Sequence, residues 1–421
     1  MTYRQAEDAL RGTNRPFCKP GTQRVEALCE ALGRPQRTLR VLHVTGTNGK
    51  GSFCAIVDAM LTAAGYRVGR FSTPALCEMR ETVTVNGESI PEAEFAALAQ
   101  ELLALSETLP DPPTEFELLT ALALKWFDKN NCDLVILECG MGGLTDATNV
   151  IDSPVLSVIT GVSVDHTSFL GTTVAEIARQ KAGIIKEGRP VLWCGADPEA
   201  EEVIRAVATE KNAPLHTVPR ERLTLRSWDL SGTVFDFNGR EGLHLSLLGL
   251  YQADNAANAL TAADLLRSMG WQIPEAALRE GLKTVRWKGR FEVLSQSPLI
   301  IVDGGHNPEG IARAAESIEA YFCHQKVAIV TGIMADKDYR AVACRLAPLA
   351  EEVFCVTPHN PRALPSREYA AVFRALQVSA QACAGGANAL RRAVKTGLPV
   401  VCLGSLYMYA ELKDAVDRLR K

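Results

Sequence analysis

Short runs of β-branched and aliphatic residues recur along this chain, most closed by a glycine or polar turn and then followed by a helix-compatible stretch. TLRVLHVTG precedes SFCAIVDAMLTAAG, VLSVITGVS precedes TVAEIARQKAGIIK, and RPVLWCG precedes DPEAEEVIRAVATE, with CDLVILECG as a further apolar run. No other feature limits the fold as tightly. A strand that returns parallel to its predecessor needs a helical crossover, and a sheet built that way is covered on both faces. Its strands therefore read as unbroken apolar runs, as these do. Residues 215–250 break the rhythm, because GTVFDFNG and GLHLSLLG suggest a small antiparallel insert. Helices are expected from Asn255 to Met269 and from Pro274 to Leu282. After WKGRF the alternation resumes, with PLIIVDG, KVAIVTGI, EVFCVTP and PVVCLGS as four strands.

At 421 residues the chain is longer than one core usually serves, since cores stop growing near about 250–300 residues. The expected organisation is an N-terminal domain over residues 1–290, with a mostly parallel sheet of P-loop ATPase type, and a smaller Rossmann-like α/β domain over 291–421. The boundary is placed near 288–297, and a cleft between two such domains is a natural ligand site.

Composition mainly excludes. The chain is 47% hydrophobic and 22% charged, as packed globular proteins are, and its formal net charge is -4 with no basic run to neutralise a row of phosphates. Nucleic acid is not an expected partner, and no apolar stretch reaches the roughly 18–20 residues of a membrane span. The 12 cysteines, scattered from Cys18 to Cys402, form no Cys-x-x-Cys pair. Several, such as Cys54, Cys139 and Cys402, sit in apolar runs where a thiol acts as a small hydrophobe. With no secretory leader expected in MTYRQAEDAL, a reducing cytoplasm is the expected location.

HVTGTNGKGS, residues 43–52, joins the first apolar run to a helix. Its spacing is not that of a standard P-loop, since Gly46 to Lys50 is too short and Gly51 intervenes before Ser52. The physical logic is the same. Gly46, Gly49 and Gly51 let the backbone approach a ligand closely, so that successive amides point at phosphate oxygens beside a helix N-terminus. Lys50 supplies a mobile cation, and the Ser52 hydroxyl suits Mg²⁺. The plainer alternative is a glycine-rich turn with an incidental lysine.

Two further strand tips carry polar residues. LECGMGGLTDATN places Glu138 at the end of an apolar strand before a second glycine-rich turn, and ITGVSVDHTSFLG places Asp165 and His166 at another. An acid and an imidazole at neighbouring strand ends can complete the coordination of a cation that bridges phosphates. Taken singly, Glu138 reads equally well as a helix cap and His166 as a satisfied turn residue.

Together these motifs resemble the folylpolyglutamate synthase/dihydrofolate synthase family of the Mur ligase superfamily. HVTGTNGKGS, PTEFELLTALAL, LECGMGGLTDATNV, VDHTSFLG with IARQKAGIIK, GLYQADNAANAL, WKGRF, VDGGHNP and the later DKD follow one another in that family's order. The resemblance implies an ATP-binding domain of Mur ligase central type, a C-terminal glutamate-ligase domain, and ATP-dependent amide formation. In that reaction L-glutamate is added to dihydropteroate or a folate through an acyl phosphate, with release of ADP and phosphate. It implies nucleotide contacts from Gly46, Thr47, Asn48, Gly49, Lys50, Gly51 and Ser52, with Asn255 on the adenine and Arg290 and Asp303 reaching ATP from the hinge and the second domain. Ser52, Thr73 and Glu138 would serve one Mg²⁺, and Glu138, His166 and a carbamylated Lys181 a second. Carbamylation suits the chemistry, because an ammonium cannot ligate a cation and a carbamate offers two anionic oxygens. Without the resemblance, Lys181 reads as a solvated surface lysine. His306 would face the incoming amino acid, although GGHNP is also good turn chemistry. Lys50, Lys181 and His306 are thus the implied catalytic set, in a monomer acting in folate and one-carbon metabolism.

The chain departs from the family pattern at Ala75, where histidine is usual, and at Thr82 and Leu144, where arginine is usual. Tyr251 replaces a histidine. The first two bear on the acid substrate and leave the ATP chemistry intact. Ligation on a different acid, and a non-catalytic ATP-binding module, therefore stand as the alternative readings.

Overall fold

The computed structural model describes residues 1–15, 20–323 and 325–419, so that Cys18 lies outside the described residues. Two compact units emerge. The first comprises Met1–Glu221 and Asn255–Thr284, and the second Arg222–Asp254 and Val285–Lys421. Residues 222–254 thus group with the C-terminal part of the chain, and the later cut falls at 284/285.

The strands of unit 1 are β1 (Val41–Thr45), β2 (Val68–Phe71), β3 (Val83–Val85), β4 (Glu88–Ser89), β5 (Leu134–Glu138), β6 (Leu156–Ile159), β7 (Val191–Trp193) and β8 (Leu215–Thr217). They form one sheet in the order β4-β3-β2-β5-β1-β6-β7-β8. The run from β2 to β8 is parallel, and β3 and β4 add an antiparallel edge. Every residue of β1, β5 and β6 is buried, as the unbroken apolar runs require. The crossover helices have identifiable starts. Gly49, at φ 85, precedes the helix Lys50–Ala63. The Asp197 side chain accepts from the Ala200 amide at 2.9 Å and starts Pro198–Glu210. Thr173 and Glu176 form a capping box for Val174–Ala182. That last helix is shorter than the TVAEIARQKAGIIK pattern suggests. It closes at Gly183, where a side chain would collide with the Leu144 backbone.

Unit 2 contains β9 (Leu223–Asp229), β10 (Gly232–Phe237) and β11 (Arg240–Leu245), a three-stranded antiparallel sheet where the alternating pattern indicates one. Its larger sheet is built from β12 (Glu292–Gln296), β13 (Leu299–Val302), β14 (Val327–Thr331), β15 (Ala350–Cys355), β16 (Ser379–Ala382) and β17 (Val400–Leu403). These run in the order β12-β13-β17-β14-β15-β16, parallel except for β12. The four apolar runs after WKGRF are β13, β14, β15 and β17. The edge strands β12 and β16 escape the apolar pattern because EVLSQ and SAQA carry polar residues, and pairing with β13 and β15 holds them. The helix expected from Asn255 begins instead at Tyr251, after Gly249 turns the chain at φ 95 and accepts from the Gln252 amide.

Candidate active site

In unit 1 the carboxyl ends of β1, β5 and β6 lie side by side, with Val44 opposite Glu138 and Thr45 opposite Ile159. The loops that leave them, residues 46–52, 139–146 and 160–166, therefore rise from one sheet edge, the edge at which parallel sheets bind ligands. The first loop is held by its neighbours. The Thr47 amide donates to the Gly161 carbonyl at 2.8 Å, and the Thr47 hydroxyl exchanges contacts with the Ser163 backbone at 3.1 and 3.2 Å. Thr160 Oγ1 donates to the Asn48 carbonyl at 2.7 Å. Gly46 has to be glycine, because a Cβ there would collide with Thr160 Oγ1. A Cβ on Gly49 would stand 2.7 Å from Asn255 Oδ1, which puts Asn255 against the loop. Lys50 Nζ curls over the loop and donates to the carbonyls of Gly46 at 2.9 Å and Thr47 at 3.3 Å.

A pocket opens where the three loops meet. Gly46, Thr47, Lys50, Cys139, Gly140, Gly142, Asp165, His166 and Lys181 line it. Ser52 and Glu138 are buried, at 2% and 3% exposure, while His166 keeps its side chain 44% exposed in a left-handed backbone at φ 52. Thr73 follows β2 in the next loop along the sheet edge and is not among the residues lining the pocket. Among the described residues no three His, Cys, Asp or Glu side chains cluster as a cation cage.

Lys181 is not the solvated lysine its helix would suggest. It is 3% exposed, and burial, followed by the charge of Lys50, lowers its amine to about 7. Such an amine is substantially neutral near physiological pH and therefore nucleophilic.

Behind the pocket lies a buried polar chain. Asp146 accepts from the Met141 amide at 2.8 Å, the Thr148 amide at 3.0 Å and the Thr148 hydroxyl at 2.6 Å, fixing the second glycine-rich turn. His43 Nε2 lies 2.8 Å from Thr148 Oγ1 and 3.2 Å from Cys139 Sγ. Burial, then the charge of Lys186, lowers His43 to about 3, so the ring is neutral.

In unit 2 the carboxyl end of β13 carries Asp303, itself 3% exposed. Its oxygens accept from the Tyr251 hydroxyl at 2.6 Å, the Phe291 amide at 2.9 Å and the Gly305 amide at 2.7 Å. Arg290 packs where any side chain on Gly304 would strike its guanidinium. His306 Nδ1 lies 2.9 Å from the Gly304 carbonyl, and Asn307 caps the helix Pro308–Tyr321. GGHNP is thus a turn, and it also presents an imidazole at a strand end.

Residues 44–263 match the Mur ligase middle domain, and residues 289–406 match the Mur ligase glutamate ligase domain. The dihydrofolate synthase/folylpolyglutamate synthase of Bacillus subtilis strain 168 is 37% identical over 372 residues, 86% of each chain. The chain belongs to the folylpolyglutamate synthase/dihydrofolate synthase family of Mur ligases. The Lacticaseibacillus casei folylpolyglutamate synthase is likewise 37% identical to this Mur ligase, over 410 residues and 94% of each chain. In three dimensions the ligase resembles Mycobacterium tuberculosis folylpolyglutamate synthase complexed with ADP, with a TM-score of 0.90, 28% identity and 98% of both chains covered. The α/β architecture is thus that of the folylpolyglutamate synthases.

Three of the four departures from the family pattern have local structural answers in this ligase, and nothing in the structure explains Ala75. Thr82 is buried and donates to the Met79 carbonyl at 2.8 Å, so its side chain closes a turn. Leu144 is 49% exposed, and its turn is held through the backbone, its amide donating to the Gln180 carbonyl at 2.7 Å. Tyr251 serves Asp303. Residue chemistry alone singles out neither His43 nor Thr160, because each acts through a contact distant in sequence. Asp146 does carry a local signal, an Asp followed by Ala-Thr after a glycine-rich turn, which is Asx-cap chemistry.

Proposed function

We propose that this ligase joins L-glutamate to dihydropteroate or a reduced folate, converting ATP to ADP and phosphate through an acyl phosphate. The observation that carries the reading is the convergence of Lys50, Asp165, His166 and Lys181 with two glycine-rich loops at one sheet edge. An acid oxygen attacking the γ-phosphorus brings two anions together as the bond to the β-phosphate breaks. The site therefore needs positive charge that is already in place. Lys50 leaves its two carbonyl partners to meet the phosphates, and loop amides from Gly46 to Ser52 cradle them. The glutamate nitrogen then bonds to the acyl carbon and phosphate departs. For unit 2 we assign Arg290 and Asp303 to the nucleotide and His306 to orienting the amine, and for unit 1 we assign Asn255 to the adenine.

Ser52, Thr73 and Glu138 would hold one magnesium ion, and Glu138, His166 and Lys181 a second. The fit rests on the buried hydroxyl and carboxylate beside the phosphate loop and on a Lys181 amine neutral enough to capture carbon dioxide as a carbamate. Bound magnesium supplies further neutralisation of phosphate charge. Non-folate acids stand as the second reading, because Ala75 and the inward-turned Thr82 alter the loop after β2. Incubating the purified protein with ATP, glutamate and either dihydropteroate or tetrahydrofolate, and following ADP release, decides between them. Turnover with one acid is expected. Inertness towards both removes the folate reading and leaves ligation on another acid.

A further inference from the structure

The loop of residues 72–82 leaves the carboxyl end of β2, whose Phe71 pairs with Leu137 of β5. It therefore rises one strand beyond the Glu138 turn, at the same sheet edge as the phosphate loop. A co-substrate that has to meet the γ-phosphate without occupying the phosphate loop has this neighbouring strand end available to it. Part of the loop closes on itself, through the Ser72 amide to the Thr82 carbonyl at 3.0 Å and the Cys77 amide to Glu81 Oε2 at 3.2 Å. Two of its amides instead donate to a distant element. The Arg80 amide donates to Tyr3 Oη at 3.2 Å, and the Met79 amide donates to Glu7 Oε1 at 3.3 Å. Both acceptors belong to the helix Tyr3–Gly12, one turn apart on one face. That helix is well anchored, with a Thr2–Gln5 capping box, Ala6 and Leu10 buried, and the Tyr3 ring edge-on to Phe95 at 5.3 Å.

We propose that the first helix of the chain is a template for the acid-substrate pocket, with Tyr3 and Glu7 as positioning residues that hold the 77–82 segment through its backbone and thereby help set which acid is accepted. The inference rests on the ligase reading above for its substrate and on the two amide contacts for its geometry. Acceptors for backbone amides impose shape whatever side chains the loop carries. A loop whose position 82 side chain is spent on its own turn can thus still be shaped from outside.

The test uses the full-length protein and the Tyr3→Phe/Glu7→Ala double variant. Tyr3→Phe keeps the ring against Phe95. Glu7→Gln, which retains an acceptor oxygen, and Arg11→Ala, which breaks the 2.7 Å Glu7–Arg11 pair while leaving Glu7, serve as controls. Amide hydrogen exchange without ligand, read at Met79 and Arg80, should quicken about tenfold in the double variant, with the rest of the sheet unchanged. The KM for dihydropteroate or tetrahydrofolate should rise about fivefold, while kcat and the KM for ATP stay within about twofold. Glu7→Gln paired with native Tyr3 should restore most of both effects, and Arg11→Ala should produce neither. Unchanged exchange would overturn the tether, and acid and ATP KM values that move together would overturn its role in acid selection. If the native enzyme itself turns over neither acid, the substrate reading fails, and the exchange rates at Met79 and Arg80 then decide by themselves whether the tether exists.

Discussion

Two strand-end carboxylates of this ligase, Glu138 and Asp303, make different use of similar chemistry. Glu138 ends β5 in unit 1 beside loops whose glycines keep the backbone open, and the pocket next to it is lined by Lys50, His166 and Lys181. Asp303 follows β13 in unit 2 and is surrounded by its own chain, accepting from a tyrosine hydroxyl and two backbone amides. One of those amides belongs to Phe291, a non-glycine residue at φ 46, a conformation that costs energy and persists only when its surroundings hold it. The comparison teaches that a carboxylate at a strand tip does not declare its task. In unit 1 the surrounding scaffold is arranged so that polar groups face a pocket, whereas in unit 2 the carboxylate proposed for the nucleotide is also part of the scaffold.

The largest effect that tests this contrast belongs to Lys50. Lys50→Ala is expected to reduce kcat by at least about a thousandfold, since it deletes a positive charge at the proposed site of phosphoryl transfer. The two carbonyls it releases, on Gly46 and Thr47, can turn to solvent, so the urea midpoint should barely move. Substantial remaining turnover in a coupled ADP assay would contradict the role given to this loop. Asp303→Ala should add a loss of stability that Lys50→Ala lacks. It strands the Tyr251 hydroxyl and the amides of Phe291 and Gly305, and a loss on the order of 2–5 kcal/mol in chemical denaturation is expected. A folded, near-native Asp303→Ala protein would place Asp303 with the pocket residues and dissolve the contrast.

A smaller, pH-dependent effect probes the support behind the unit 1 pocket. His43 is held neutral down to about 3, whereas in an unfolded chain it takes up a proton near its ordinary value of about 6.5. Its depressed folded value means that stability is complete above about pH 6.5 and is lost as pH falls from there towards 3, because only the unfolded state binds the proton. The slope contributed by this one group approaches about 1.4 kcal/mol per pH unit. His43→Gln keeps a partner for Thr148 and cannot titrate, so the variant should lose less stability between pH 6.5 and 4 than the native protein. Equal slopes in urea titrations across that range would show that the ring is solvated or otherwise paired.

Much of this was legible in the sequence, and the reasons differ by residue. The strands β1, β5, β6, β13 and β17 announced themselves because parallel strands buried on both faces need unbroken apolar runs. Lys50 and the glycines around it stood out in the sequence because phosphate binding, the role proposed for them, needs backbone at close range, which few residues permit. Lys181 was ambiguous in a helical pattern, since burial is decided by what packs over a helix and not by the helix. The edge strands β12 and β16 were hidden because pairing, not composition, makes them. His43, Thr160 and the Tyr3–Glu7 acceptors were hidden for a common reason: each acts on a residue remote in sequence, and nothing local records the partner.

The smallest expected effect concerns Tyr251, which stands where the family usually has histidine. Its hydroxyl donates to Asp303 at 2.6 Å, and burial, then the Asp303 carboxylate, raises its ionisation well above the ordinary tyrosine value, so it remains a donor at any working pH. Tyr251→Phe removes one donor and leaves both amides on the carboxylate. A loss of about 1 kcal/mol in denaturation is expected, below that of Asp303→Ala. Should the phenylalanine variant instead cost as much as Asp303→Ala, the hydroxyl rather than the amides is what fixes the carboxylate. The substitution at position 251 would then be a change of anchor in unit 2, and the left-handed turn at Phe291 would depend on a side chain and not on its own backbone hydrogen bond.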